Sequence, residues 1–285
     1  MVKEYSSLIR SGDDEESAQS SGEDAISSLI AVSMSLIVIL ASSITIVYLW
    51  KGEDGFVIER PSSALLSWQM EYMDLIGANN DSLTELNGEG VVVCVVDSGV
   101  DLGHPDLRGV ELRGWRDSIN GIEEPYDDEG HGTAMTGIIV SDGGLDGVAK
   151  GVDLLVAKAI DDEGLGTDGT VSDSVDWCVQ QGADIISLSL GGSQSFGSDF
   201  FTTDELEQSV NDALDSGVFV VSSAGNDGED DDGDVGSPGS VEDVICVGGI
   251  TRSGSIWSGS SEGDNDGRLW PNPILPRSDP DKKPE

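Results

Sequence analysis

The chain has 285 residues, 55 acidic against 14 basic, for a net charge of −41. That balance excludes a nucleic-acid partner, because phosphate binding needs a basic footprint. It predicts a strongly hydrated, self-repelling surface whose repulsion salt screens.

Residues 1–24 are polar, include the run "DDEE" at 13–16 and are predicted to be a disordered acidic tail. From Ala25 to Trp50 no charged residue occurs, and 26 uncharged, mostly apolar residues are enough for a transmembrane helix, which needs about 20. Tyr48 and Trp50 fit the interfacial aromatic position, with Lys51 just beyond. A cleaved secretory segment has an apolar core of about 7–15 residues, so this stretch is long for one. Lys3 and Arg10 before the span nearly balance Lys51 and Arg60 after it, which leaves its orientation unassigned by charge. Residues 51–88 read as a connector, with "SALLSWQMEYMDLIGA" as a short helix packing on the domain that follows.

From residue 89 strand and helix patterns alternate. Strand-like runs fall at 91–96, 153–160, 184–190, 218–223 and 244–250. Val171, Val175, Cys178 and Val179 share one helical face, as do Leu206, Val210, Ala213 and Leu214, and Thr202 with Glu205 fits a capping box. The alternation predicts an α/β domain: a parallel sheet with helices on both faces. The run Val91 to Val96 is short and rich in β-branched residues, as in a strand buried on both sides. It ends on Asp97, which is either a turn residue or a group placed at the sheet's carboxyl edge, where ligands bind in such folds. Cys94, Cys178 and Cys246 lie inside apolar patterns and are predicted to be buried free thiols.

"HGTAMTG" at His131 and "SSAGNDG" at 222–228 are each weak alone, a helix start and a turn. An Asp closing a buried strand, a His-Gly-Thr 34 residues later and an Ala-Gly-Asn after another strand form a specific set. In that order they resemble subtilisin-like serine proteases. "DSGVDLGHPDL" at 97–107, "SLSLGG" at 187–192 and "GSPGSVEDVICVGG" at 236–249 are similar to that family's segments too, and the likeness covers roughly residues 65–285.

The resemblance implies a subtilisin-like three-layer fold over residues 89–285, and the uncharged run at 25–50 predicts one transmembrane helix before it. It implies a serine endopeptidase with Asp97 and His131 as catalytic residues and Asn226 in the oxyanion hole. A serine hydroxyl needs a base within hydrogen-bond reach, and the base needs a carboxylate to fix its tautomer. Gly164, Leu165 and Gly166, with Ser189, Leu190 and Gly191, are expected to flank an extended peptide and pair with its backbone, although "DDEGLGTDG" also reads as a plain surface loop. Peptide and protein substrates follow, with no required cofactor. Asp106 matches a position that binds calcium in some members, but the loop supplying further ligands, 140–151, looks shorter here. His104 is expected to be structural, and Ser237–Pro238 to be a cis peptide by resemblance. The localisation implied is a single-pass membrane protein with its catalytic domain outside the cytoplasm.

The pattern breaks at the nucleophile. The family carries its serine in a Gly-Thr-Ser stretch, and none occurs in the 285 residues. Counting about 65 residues on from Asn226, the separation in subtilisin, passes Glu285. The 285 residues alone are therefore expected to be an inactive fragment, incomplete at the C-terminus, with part of the sheet's apolar surface uncovered. The alternative is a non-catalytic, membrane-tethered pseudoprotease or binding module.

Overall fold

A computed structural model describes residues 29–45, 61–80, 86–191, 205–226, 228 and 235–261. The chain divides into two units, Met1–Glu59 and Arg60–Glu285. In the first, helix α1 covers residues 29–45 with every side chain exposed. The 17 described residues of this helix rise about 26 Å. Among the described residues no helix is long and apolar enough to cross a membrane. The ends of the predicted span, 25–28 and 46–50 with Tyr48 and Trp50, lie outside the described residues, as does the predicted tail.

The second unit is built on β1 (Val92–Asp97), all six residues of which are buried. β2 (Leu112–Asp117), β3 (Asp153–Lys158), β4 (Ile185–Leu188), β5 (Phe219–Ser223) and β6 (Ile245–Val247) complete a sheet of order β2-β3-β1-β4-β5-β6. Every pairing within it is parallel. Side chains alternate across a strand, so β1 feeds two cores. Val92, Cys94 and Val96 pack with Val171 and Val175 of α4 (Asp168–Gln180) and Val210 and Ala213 of α5 (Glu205–Asp215). Val95 packs on the other side with Val140, Ile139 and Met135 of α3 (His131–Val140). Each buried valine contributes about 1.5–3 kcal/mol, which is why a valine-rich run holds the centre. The connector helix is α2 (Ser63–Leu75), capped by Ser62 and burying Gln69 and Met73.

The cysteine expectation is corrected. Cys94 and Cys178 are not free thiols but a disulfide, because α4 lies directly over β1 and brings their Cα atoms to 5.9 Å. Cys246 is buried and takes no part in that bridge. β2, "LRGWRD", has no strand prediction. It is an edge strand with no fully buried residue and two arginines, so no apolar run marks it. Ser237–Pro238 is cis, as expected. Thr202 lies outside the described residues, so the capping box on α5 does too.

Candidate active site

β1 delivers Asp97 to the carboxyl edge of the sheet, where the carboxylate is almost fully buried. Its side chain follows Val95 onto the face that α3 covers. His131 is the first residue of α3. Two glycines let these elements meet. A Cβ on Gly132 would lie 2.3 Å from the Gly99 carbonyl oxygen, and one on Gly99, at φ 121°, would lie 2.1 Å from that of Tyr126. Replacing Gly132 with alanine should therefore push α3 off the turn at 98–99 and break the Asp97–His131 contact. A crystal structure or the imidazole NMR signal of the variant checks this.

His131 Nδ1 stands 2.8 Å from Asp97 Oδ1 and 3.0 Å from Oδ2. An ionised carboxylate only accepts hydrogen bonds, so Nδ1 carries the proton and Nε2 is left as the basic nitrogen. The Ser98 N–H also donates to Asp97 Oδ1, at 2.7 Å. Burial pushes the Asp97 carboxyl above its ordinary pKa, and the bonds from His131 and Ser98 recover only part of the shift. The imidazole itself is half-exposed, so one ring edge rests on the carboxylate while the rest of the ring is open to solvent.

Asp127 organises the start of α3. Its carboxylate accepts from the N–H groups of Glu129, Gly130 and Thr133 and from the hydroxyls of Ser98 and Thr133. Burial raises its pKa, but those bonds outweigh burial and hold the carboxyl below the ordinary range. Ser98 in turn accepts from the Gly132 N–H at 2.8 Å. The turn after Asp97 is thus laced to the helix that begins with His131.

Asn226 lies three residues past β5 and is exposed, after Gly225 at φ 112°. Its strand is two places from β1 in the sheet, so it belongs to the same carboxyl edge. Ser189, Leu190 and Gly191 follow β4, and the Leu190 carbonyl accepts from the Ser223 hydroxyl at 3.1 Å. Gly164, Leu165 and Gly166 lie exposed in the loop after β3. Leu165 uses both its backbone groups within that loop: its N–H donates to the Asp161 carboxylate and its carbonyl accepts from the Asp161 N–H. The Gly164 N–H also donates within the loop, to the Asp161 carbonyl at 3.2 Å.

His104 accepts from the Asp106 N–H and caps the short 3₁₀ turn Pro105–Leu107, apart from His131. Asp106 accepts from the Leu145 N–H, while Lys150 donates to both Asp142 and Asp146. Calcium takes about 6–8 oxygens. One carboxylate, beside two others claimed by a lysine, does not fit it, and the described residues hold no group of three metal-ligating side chains.

Sequence reasoning missed Asp127 and Lys158. Asp127 had a signal, an Asp four residues before a helix-opening His. Lys158 had one too, as the only charge after the first residue of the strand "DLLVAK".

A model of the subtilase family matches residues 88–276. Serine protease AprX of Bacillus subtilis is 38% identical over 177 residues, 58% of this chain and 39% of its own length. The intracellular serine protease of Paenibacillus polymyxa is 35% identical over 187 residues, 62% of this chain and 55% of its own. The crystal structure of a cold-adapted subtilisin-like serine proteinase superposes with a TM-score of 0.54 at 31% identity, covering 63% of this chain and 62% of the other. The chain thus spans about half the length of the curated relatives it matches.

Proposed function

The chain belongs to the subtilase family, and on that premise we propose that it carries the base and oxyanion side of a serine endopeptidase acting on peptide and protein substrates. The observation that carries the reading is the approach of His131 Nδ1 to both oxygens of the buried Asp97 carboxylate. In this reading His131 Nε2 takes the proton of a serine hydroxyl as its oxygen bonds to the scissile carbonyl carbon. Asp97 stabilises the imidazolium that forms. Asn226 donates its side-chain amide to the oxyanion. His131 then gives the proton to the leaving amine as the carbon–nitrogen bond breaks.

The nucleophile is proposed to lie C-terminal to residue 285, since no Gly-Thr-Ser stretch occurs before it. An apolar strip supports this: Phe219, Ile245 and Val247 stay exposed on β5 and β6, a surface that a further helix would cover. The 285-residue chain alone should therefore be inactive and bind an apolar dye such as ANS through that strip. Attachment to a membrane through residues 25–50 and a catalytic domain outside the cytoplasm complete the proposal. The run of 26 uncharged residues supports the first, and the Cys94–Cys178 disulfide supports the second, because such bonds persist in oxidising compartments.

The test is proteolysis. The product of the complete coding frame should digest a denatured protein substrate and lose that activity on treatment with a serine-directed sulfonyl fluoride. Absence of digestion, or digestion indifferent to the reagent, would contradict the proposal.

A further inference from the structure

Lys158 ends β3 in register with Asp97 and is fully buried, at 0% exposure. Its side chain follows Val156 onto the α3 face, the face that Asp97 also takes. Burying an ammonium is costly unless every donor is satisfied. Here three N–H donors meet three acceptors: the Ser98 carbonyl at 2.7 Å, the Ile160 carbonyl at 2.8 Å and the Asp128 carboxylate at 2.6 Å. The Tyr126 ring face lies 5.1 Å from the nitrogen and adds a cation–π contact.

The acceptors come from three separate segments. Ser98 is in the turn directly after Asp97. Asp128 is three residues before His131. Ile160 opens the loop that runs to Gly164–Leu165–Gly166. We infer that Lys158 is a positioning residue for the Asp97–His131 pair, its buried ammonium pinning the turn after Asp97, the loop before His131 and the root of the 161–166 loop to one point. The inference rests on the proposed roles of Asp97 and His131. Apolar residues of the same length would fill the space at lower desolvation cost. Only a cation with three donors joins two backbone carbonyls and a carboxylate from different loops. Asp127 makes the parallel link, from Ser98 to the first turn of α3, so adjacent carboxylates hold the His131 loop from two sides.

The experiment compares Lys158→Met and Asp128→Ala with the parent, using the protein from the complete coding frame. The downfield NMR resonance of the His131 Nδ1 proton reports the bond to Asp97 without needing turnover. Both variants should broaden or shift that resonance and speed its exchange with water. They should also lower kcat by about 10²-fold with a smaller change in KM, the scale of a misplacement of roughly 1 Å. A merely structural lysine would lower the melting temperature and leave the resonance and kcat as in the parent, which overturns the inference. If Lys158→Met does not fold, Asp128→Ala decides, because its side chain is partly exposed and its loss leaves the apolar core intact. An unmoved resonance in that variant overturns the inference while leaving the protease reading standing. Absence of the resonance in the parent overturns both.

Discussion

His131→Ala should abolish hydrolysis by the serine-complete protein, with kcat falling by about 10⁶-fold, the loss seen in subtilisin when the base is removed. The expectation follows from the half-exposed imidazole being fixed by one edge on a buried carboxylate. His104 cannot substitute, since its Nδ1 caps the turn at Asp106. The fold should be untouched, because the side chain packs no core and contacts Asp97 through a hydrogen bond alone among the described residues. Steady-state kinetics on a peptide amide together with circular dichroism check both halves. A residual rate within tenfold of the parent would remove His131 from the role of base.

Asp97→Asn should lower kcat by about 10⁴-fold, because an amide can donate to Nδ1 and so favour the wrong imidazole tautomer. Stability should move the other way. The folded-state pKa of Asp97 is raised by burial, against the bonds from His131 and Ser98. A raised carboxyl contributes stability that is fully present below the unfolded pKa and is lost as pH rises through the folded one. At neutral pH the ionised carboxylate is therefore a net cost, and the amide removes it. The variant should melt no lower than the parent at pH 7 and lose that advantage in acid. A variant that melts well below the parent at pH 7 would show the charge to be stabilising instead.

The central strand was legible because its chemistry is local. Six apolar residues followed by Asp97 give a buried strand and its terminal carboxylate without any tertiary information. The helical faces of α4 and α5 were legible for the same reason, and Val175 and Val210 are fully buried on them. Disulfide pairing was not, since 84 residues separate Cys94 from Cys178 and only the crossing of α4 over β1 brings them together. β2 escaped because an edge strand need not be apolar, and its arginines lie on the exposed rim with Asp153 and Asp173. Lys158 was visible as a charge in an apolar strand, but its three acceptors come from loops whose meeting depends on the whole sheet order.

The site divides the same way. Asp97, His131 and Asn226 were found by motif, and the first two meet at hydrogen-bond distance. Ser98 lies inside a recognised segment, and Asp127 and Lys158 leave only faint local signals, so their supporting role is recognised from their hydrogen bonds.

The most direct test is labelling of the complete coding frame's product with a fluorophosphonate probe, beside its His131→Ala variant, followed by mapping of the modified residue. The account predicts one labelled serine C-terminal to Asn226, with labelling lost in the variant. No labelled serine, or labelling as strong without His131, would contradict it.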